Sequence, residues 1–107
     1  MKRYLVVNVV MAALATTLAV STSAMADMAL ATSKNCTSCH AVDKKVLGPS
    51  YKEVATKYAG QADAVDKLSG KIMKGGAGAW GPVPMPANAQ VSAEEAKKLV
   101  TWIMTLK

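Results

Sequence analysis

Phenylalanine is absent from this chain, histidine occurs once, at position 40, and cysteine twice, at 36 and 39. Arginine occurs only at Arg3, and no alternation of apolar and polar residues runs long enough to specify a strand. Each scarcity excludes something. One imidazole and two thiols fall short of the four ligands of a structural zinc site, unless a carboxylate completes the set. Nucleic-acid binders concentrate charge on one element and interleave aromatics or Arg. Here the basic residues beyond position 3 are lysines scattered from Lys34 to Lys107, so a solvated basic surface is expected and no nucleic acid. There is no internal repeat, nucleotide-binding loop or low-complexity tract. Without strands the βαβ setting of a thioredoxin-like thiol pair is missing, and the expected fold class is all-α.

The first 26 residues stand apart. Lys2 and Arg3 precede the apolar stretch Tyr4–Val20, and "STSAMA" ends with Ala24 and Ala26 at an A-x-A spacing. That is the anatomy of a secretory signal peptide, with cleavage expected after Ala26 and export to the periplasm. A membrane anchor is the rival, but 17 residues are marginal for a span and no basic stop-transfer cluster follows. Residues 27–107 then form one domain of 81 residues, in which eleven lysines against seven acidic residues leave a net charge of +4. A chain this short has a thin core, and two Trp and two Tyr are its only large aromatics. Another source of buried apolar mass is expected.

The pattern along the domain is helical. A short helix is expected over Met28–Lys34, followed by Asn35, a residue that tolerates the left-handed backbone of a helix exit. Tyr51, Val54, Ala55 and Tyr58 fall at i, i+3, i+4 and i+7 between Gly48-Pro49 and Gly60. Val65, Leu68, Ser69 and Ile72 repeat that spacing up to Gly75-Gly76. Residues 75–90 hold four glycines and three prolines, so a loop is expected, and the Trp80 and Met85 inside it argue against disorder. Ser92 and Glu95 form a capping-box signature ahead of an apolar face through Ala96, Leu99, Val100, Trp102, Ile103 and Leu106.

Chemistry concentrates in "NCTSCHAVDKK", residues 35–45. A disulfide would close a loop of two residues and constrain the unfolded chain little. C-x-x-C-H is also the pattern of c-type haem attachment. Cys36 and Cys39 lie about one helical turn apart, so both thiols can reach the two vinyl groups of a porphyrin, and His40 then offers its imidazole to the iron. With no second histidine, the other face of the iron is open, water-filled, or bound by Met or Lys. Met73 and Met104 lie within helical segments, and Met28 on the short first helix. Met85 lies between Pro84 and Pro86, which stiffen the backbone around it, and is the best candidate.

The domain resembles the small bacterial class I cytochromes c of the c-551/c-552 type. "CTSCHAVDKKVLGPSYKEVATKYAG", "KIMKGGAGAWGPVPMPAN" and "SAEEAKKLVTWIM" match that pattern in order and spacing, over essentially all of Asp27–Lys107. The resemblance implies four to five helices around one covalent haem c, with His40 and Met85 as axial ligands. It also implies that the Pro49 carbonyl accepts the His40 hydrogen bond, that Trp80 donates to a haem propionate, that Asn88 orients the methionine, and that Lys71 lies near a propionate. Asn35 stands where Gly is common, and Ala87 replaces a second Pro after the methionine, which would loosen that loop slightly.

The function so implied is a diffusible one-electron carrier, not an enzyme, monomeric and free of the membrane once the leader is cleaved. Its partners would be redox proteins with acidic docking surfaces, such as a quinol-oxidising complex, a nitrite reductase, a peroxidase or a terminal oxidase. Two alternatives remain at this stage: a haem protein with an open sixth site, of sensor or peroxidase-like type, and a haem-free thiol-redox protein.

Overall fold

The structure is a computed structural model that describes Thr16 and residues 23–106. Most of the expected leader therefore lies outside the described residues. Four α-helices follow in order: α1 Ser23–Ser33, α2 Tyr51–Lys57, α3 Ala64–Lys74 and α4 Ala93–Ile103. One 3₁₀ turn, Cys36–Ser38, lies between α1 and α2. Among the described residues no strand forms, and the only β-type pairings are two isolated bridges, His40 with Lys45 and Gly76 with Met85. The all-α expectation holds, and no described helix is long and apolar enough to cross a membrane.

Local chemistry sets most of the helix ends. The Ser92 hydroxyl accepts from the Glu95 amide at 3.1 Å while the Glu95 carboxylate accepts from the Ser92 amide at 3.1 Å. Ser50 and Glu53 make the same reciprocal pair at the start of α2, a second capping box in "SYKE" that apolar periodicity did not single out. At the far end of α3, Gly75 adopts φ 74, a left-handed backbone that stops the helix where Gly75-Gly76 was expected to. Asn35 turns the chain out of α1 with φ 66, as its identity suggested. The start of α1 was misjudged: it begins at Ser23, not Met28. Its first turns, "SAMADMALA", consist largely of Ala and Met and contain no breaker, so nothing local delays the helix to position 28.

α4 is the centre of the packing. Its Ala96, Leu99 and Val100 are at most 1% exposed, and Trp102 and Ile103 are buried beside them. α3 lays Ala64, Leu68 and Ile72 against this face, and Tyr51 and Tyr58 flank α2's contribution. The Tyr51 ring meets Trp102 edge to face at 5.3 Å, a favourable aromatic geometry. α1 adds Ala31, with Met28 and Leu30 half-buried. Met73 and Met104 also pack against this core, as helical methionines should.

A polar knot joins the start of α4 to the end of α1 and the end of the Gly/Pro loop. Lys34 Nζ donates to the Gln90 carbonyl at 2.9 Å and pairs with Glu95 Oε2 at 3.0 Å, while Gln90 Nε2 donates back to the Lys34 carbonyl at 3.2 Å. The Ser92 backbone hydrogen bond, then Lys34, hold the Glu95 carboxyl below its ordinary 4.5. A lowered carboxyl contributes stability above its unfolded pKa and loses it as pH falls through the folded one. Glu95→Gln keeps the capping acceptor and removes the charge. Urea unfolding at pH 7 is expected to show the variant less stable, and the difference from wild type to close as pH falls below about 4.5.

Candidate functional site

The turn after Asn35 gathers three side chains. The Cys36 carbonyl accepts from the Cys39 amide at 3.2 Å and the His40 amide at 3.0 Å, so the chain coils tightly and Cys36, Cys39 and His40 all line one cavity. Tyr51 and Lys52 at the start of α2 donate to the carbonyls of Ala41 and Val42 at 2.9 and 3.2 Å, which fixes this segment to α2. Both cysteines are free and half-buried. Burial pushes the Cys36 thiol up, and the Cys39 charge adds to that against an opposing backbone hydrogen bond. A raised thiol is neutral at pH 7, which is the reverse of what thiol exchange or zinc ligation favours.

His40 is confined on three sides. Its Nδ1 lies 2.7 Å from the Pro49 carbonyl. A carbonyl only accepts, so Nδ1 carries the proton and Nε2 keeps its lone pair free. The imidazole also lies against Gly48, where a Cβ would come within 2.5 Å of Cε1 and 2.9 Å of Nδ1. The Tyr51 ring stacks over the imidazole at 5.6 Å and 24°.

The Gly/Pro loop brings Met85 to the same cavity. Gly76 and Met85 exchange backbone hydrogen bonds at 3.0 and 2.8 Å. Gly75 lies so close beneath that a Cβ there would sit 2.5 Å from the Met85 carbonyl and 2.8 Å from the Ala87 amide. Beyond Met85, the Asn88 side-chain amide donates to the carbonyls of Ile72 at 2.8 Å and Pro86 at 3.2 Å. Asn88 pins the backbone after Met85 to the end of α3, which also restrains the segment that Ala87 was expected to loosen. Trp80 and Lys71 line the cavity as well, Lys71 half-buried on α3 and Trp80 41% exposed on the loop.

The cavity measures about 610 Å³, within the roughly 300–1,000 Å³ of cofactor sites. Leu68, Ile72, Leu99, Val100 and Ile103 give it apolar walls. Among the described residues no three His, Cys, Asp or Glu side chains come together as a site for a bare ion. The donor set is instead two thiols, one imidazole nitrogen and one thioether around an apolar space. Tyr51, also in its wall, has a buried hydroxyl with no hydrogen-bond partner among the described residues. Haem, a flat apolar group that brings its own iron and two carboxylates, fits these residues. Sequence patterns missed Gly48, Gly75 and Tyr51. In sequence the two glycines read only as a turn and a helix stop, and Tyr51 as an apolar-face residue.

The family model for cytochrome c matches residues 28–107. Cytochrome c-551 of Allochromatium vinosum is 53% identical over 91 residues, covering 85% of this chain and 97% of that protein. Cytochrome c-552 of Nitrosomonas europaea is 50% identical over 93 residues, covering 87% and 90%. The crystal structure of the Nitrosomonas europaea cytochrome c552 superposes with a TM-score of 0.73, at 50% identity, over 75% of this chain and 99% of that one.

Gly48→Ala tests the confinement of His40. The added methyl displaces the ring from Pro49, and the lost hydrogen bond with the forced repacking is expected to cost about 1–3 kcal/mol in urea unfolding. A shifted or rapidly exchanging His40 Nδ1–H resonance should accompany it.

Proposed function

Because the chain belongs to the cytochrome c family, we propose that Cys36 and Cys39 hold its haem c covalently while His40 and Met85 take the two faces of the iron. Family membership makes the protein a monohaem electron carrier and not an enzyme. The observation that carries the residue assignment is the meeting of all four side chains on one apolar cavity, each fixed by its own local device. When bound, the group supplies a one-electron Fe(III)/Fe(II) couple.

The chain's residues do the rest. Pro49 holds His40 in the tautomer that leaves Nε2 free to bind metal. Met85 offers a soft thioether, which favours the ferrous state and raises the potential. The bonds from Gly76 and Asn88 keep the Met85 backbone fixed, which would let the thioether stay in place in both oxidation states of the group and exclude small ligands. Trp80 and Lys71 are the residues for the carboxylates of the group, Trp80 as a donor and Lys71 as a nearby cation.

Docking follows from surface chemistry. Leu47 and Val83, 62% and 64% exposed, lie at the cavity with Trp80, and Lys45 and Lys71 line the same cavity on a chain whose described domain is rich in lysine. An acidic partner is steered by that charge and docks briefly on the apolar rim. A quinol-oxidising complex, nitrite reductase, peroxidase or terminal oxidase with an acidic face has suitable chemistry. We take the protein to be a monomer exported to the periplasm, with the leader cleaved after Ala26. That cut falls within α1 and leaves Asp27–Ser33 to pack on α4.

Two measurements test this. The exported protein should carry one haem whose c-type absorption survives denaturation, and Cys36→Ala with Cys39→Ala should abolish covalent retention. A colourless product from a strain competent in haem attachment would refute the reading. In Met85→Ala, the methionine–iron charge-transfer band should vanish and the potential should fall. An unchanged oxidised spectrum would leave Met85 as packing only and the sixth position open.

A further inference from the structure

Lys57, in the last turn of α2, lies across the loop that carries Trp80. Its Nζ donates to the Ala79 carbonyl at 2.6 Å and sits 4.3 Å from the centroid of the Trp80 ring. One ammonium therefore binds both the backbone beside the tryptophan and the tryptophan's π-face. The loop needs such a restraint. It is closed at its base by the Gly76–Met85 bridge and at its tip by a hydrogen bond from Gly78 N to Gly81 O at 3.0 Å. Gly78 and Gly81 both have positive φ, at 92 and 114, so the backbone around the tryptophan is made of residues with little conformational preference. Among the described residues, the Lys57 bond is the one hydrogen bond joining 77–84 to an element outside the loop. Trp80 forms part of the cavity wall, and no buried residue of the protein's core cluster is contributed by its loop between 77 and 84.

We propose that Lys57 is the positioning residue for Trp80, holding the indole against the cavity through the cation–π contact and the bond to Ala79. This rests on the reading of Trp80 as a donor to a carboxylate of the bound group. Without Lys57 the loop samples other arrangements and the indole N–H spends less time directed into the site. The carboxylate it would satisfy is then less well compensated, which disfavours the reduced state.

The test uses the intact holoprotein in its reduced form. Lys57→Met keeps the aliphatic stem and removes the charge and the donor, and Lys57→Arg keeps a cation that stacks on aromatic faces. The Trp80 indole N–H is expected to exchange with solvent roughly three- to tenfold faster in Lys57→Met, the range of a lost exposed or partly shielded cation–π contact. The buried Trp102 indole serves as internal reference and should not change. The reduction potential should fall in the Met variant and remain near wild type in the Arg variant. Wild-type exchange and potential in Lys57→Met would overturn the proposal, as would an Arg variant that behaves like the Met one. Failure of the Trp80 donor reading shows separately, as faster indole exchange in Lys57→Met at an unchanged reduction potential.

Discussion

The hydrogen bond from His40 Nδ1 to the Pro49 carbonyl is the constraint on which the site depends. It decides which ring nitrogen is free, and it can form only because Gly48 has no Cβ to strike the imidazole. The same short segment starts α2, since Ser50 is the cap of that helix and Tyr51 its first residue. A proline fixes φ ahead of the cap and supplies a carbonyl that points back to the ring. Tyr51 then stacks on His40 from the helix while its amide holds Ala41. Helix start, ring tautomer and ring plane are therefore set by four consecutive residues, "GPSY".

Opposite this rigid corner the protein uses a loop where a helix would have been simpler. Proline and glycine remove regular structure between α3 and α4, and the order that remains comes from specific closures. Gly75 allows the loop to pass tightly over the end of α3, Gly76 pairs with Met85, and Asn88 returns to the Ile72 carbonyl. The Ile72 carbonyl, within the last turn of α3, takes both the side-chain and the backbone N–H of Asn88. A methionine held in this way has a fixed backbone and an adaptable side chain, which suits a weak metal–thioether bond retained through a change of charge. Both corners rest on α4, whose Leu99 and Val100 lie in the core and in the cavity wall at once. In so small a domain the walls of the site and the hydrophobic core are the same residues.

Legibility from sequence followed the range of the interaction. The Ser92–Glu95 box and the exit of α3 at Gly75 depend on neighbours within a few positions, and both were readable. The start of α1 was not, because an Ala- and Met-rich stretch has no local signal that separates position 23 from 28. Gly48 and Gly75 looked like punctuation, since what makes them necessary is an imidazole eight residues back and a carbonyl ten residues on. Lys57 looked like one solvated lysine among many. Its partner lies on a loop more than twenty residues away.

Residue order alone carried the helical class, the Cys-Cys-His grouping and the ranking of Met85 ahead of the other methionines as a candidate. Each rests on composition or on spacing along one turn, and such constraints act before any tertiary contact exists. Only the tertiary structure decided that the thiols, the imidazole and the thioether face one apolar cavity, which His40 nitrogen stays free, and what holds Met85 and Trp80 at the wall. Those depend on backbone carbonyls and ring faces contributed by distant segments. Their positions are set by the corner that starts α2 and by the closure of the loop on α3, not by the identity of the residues they serve.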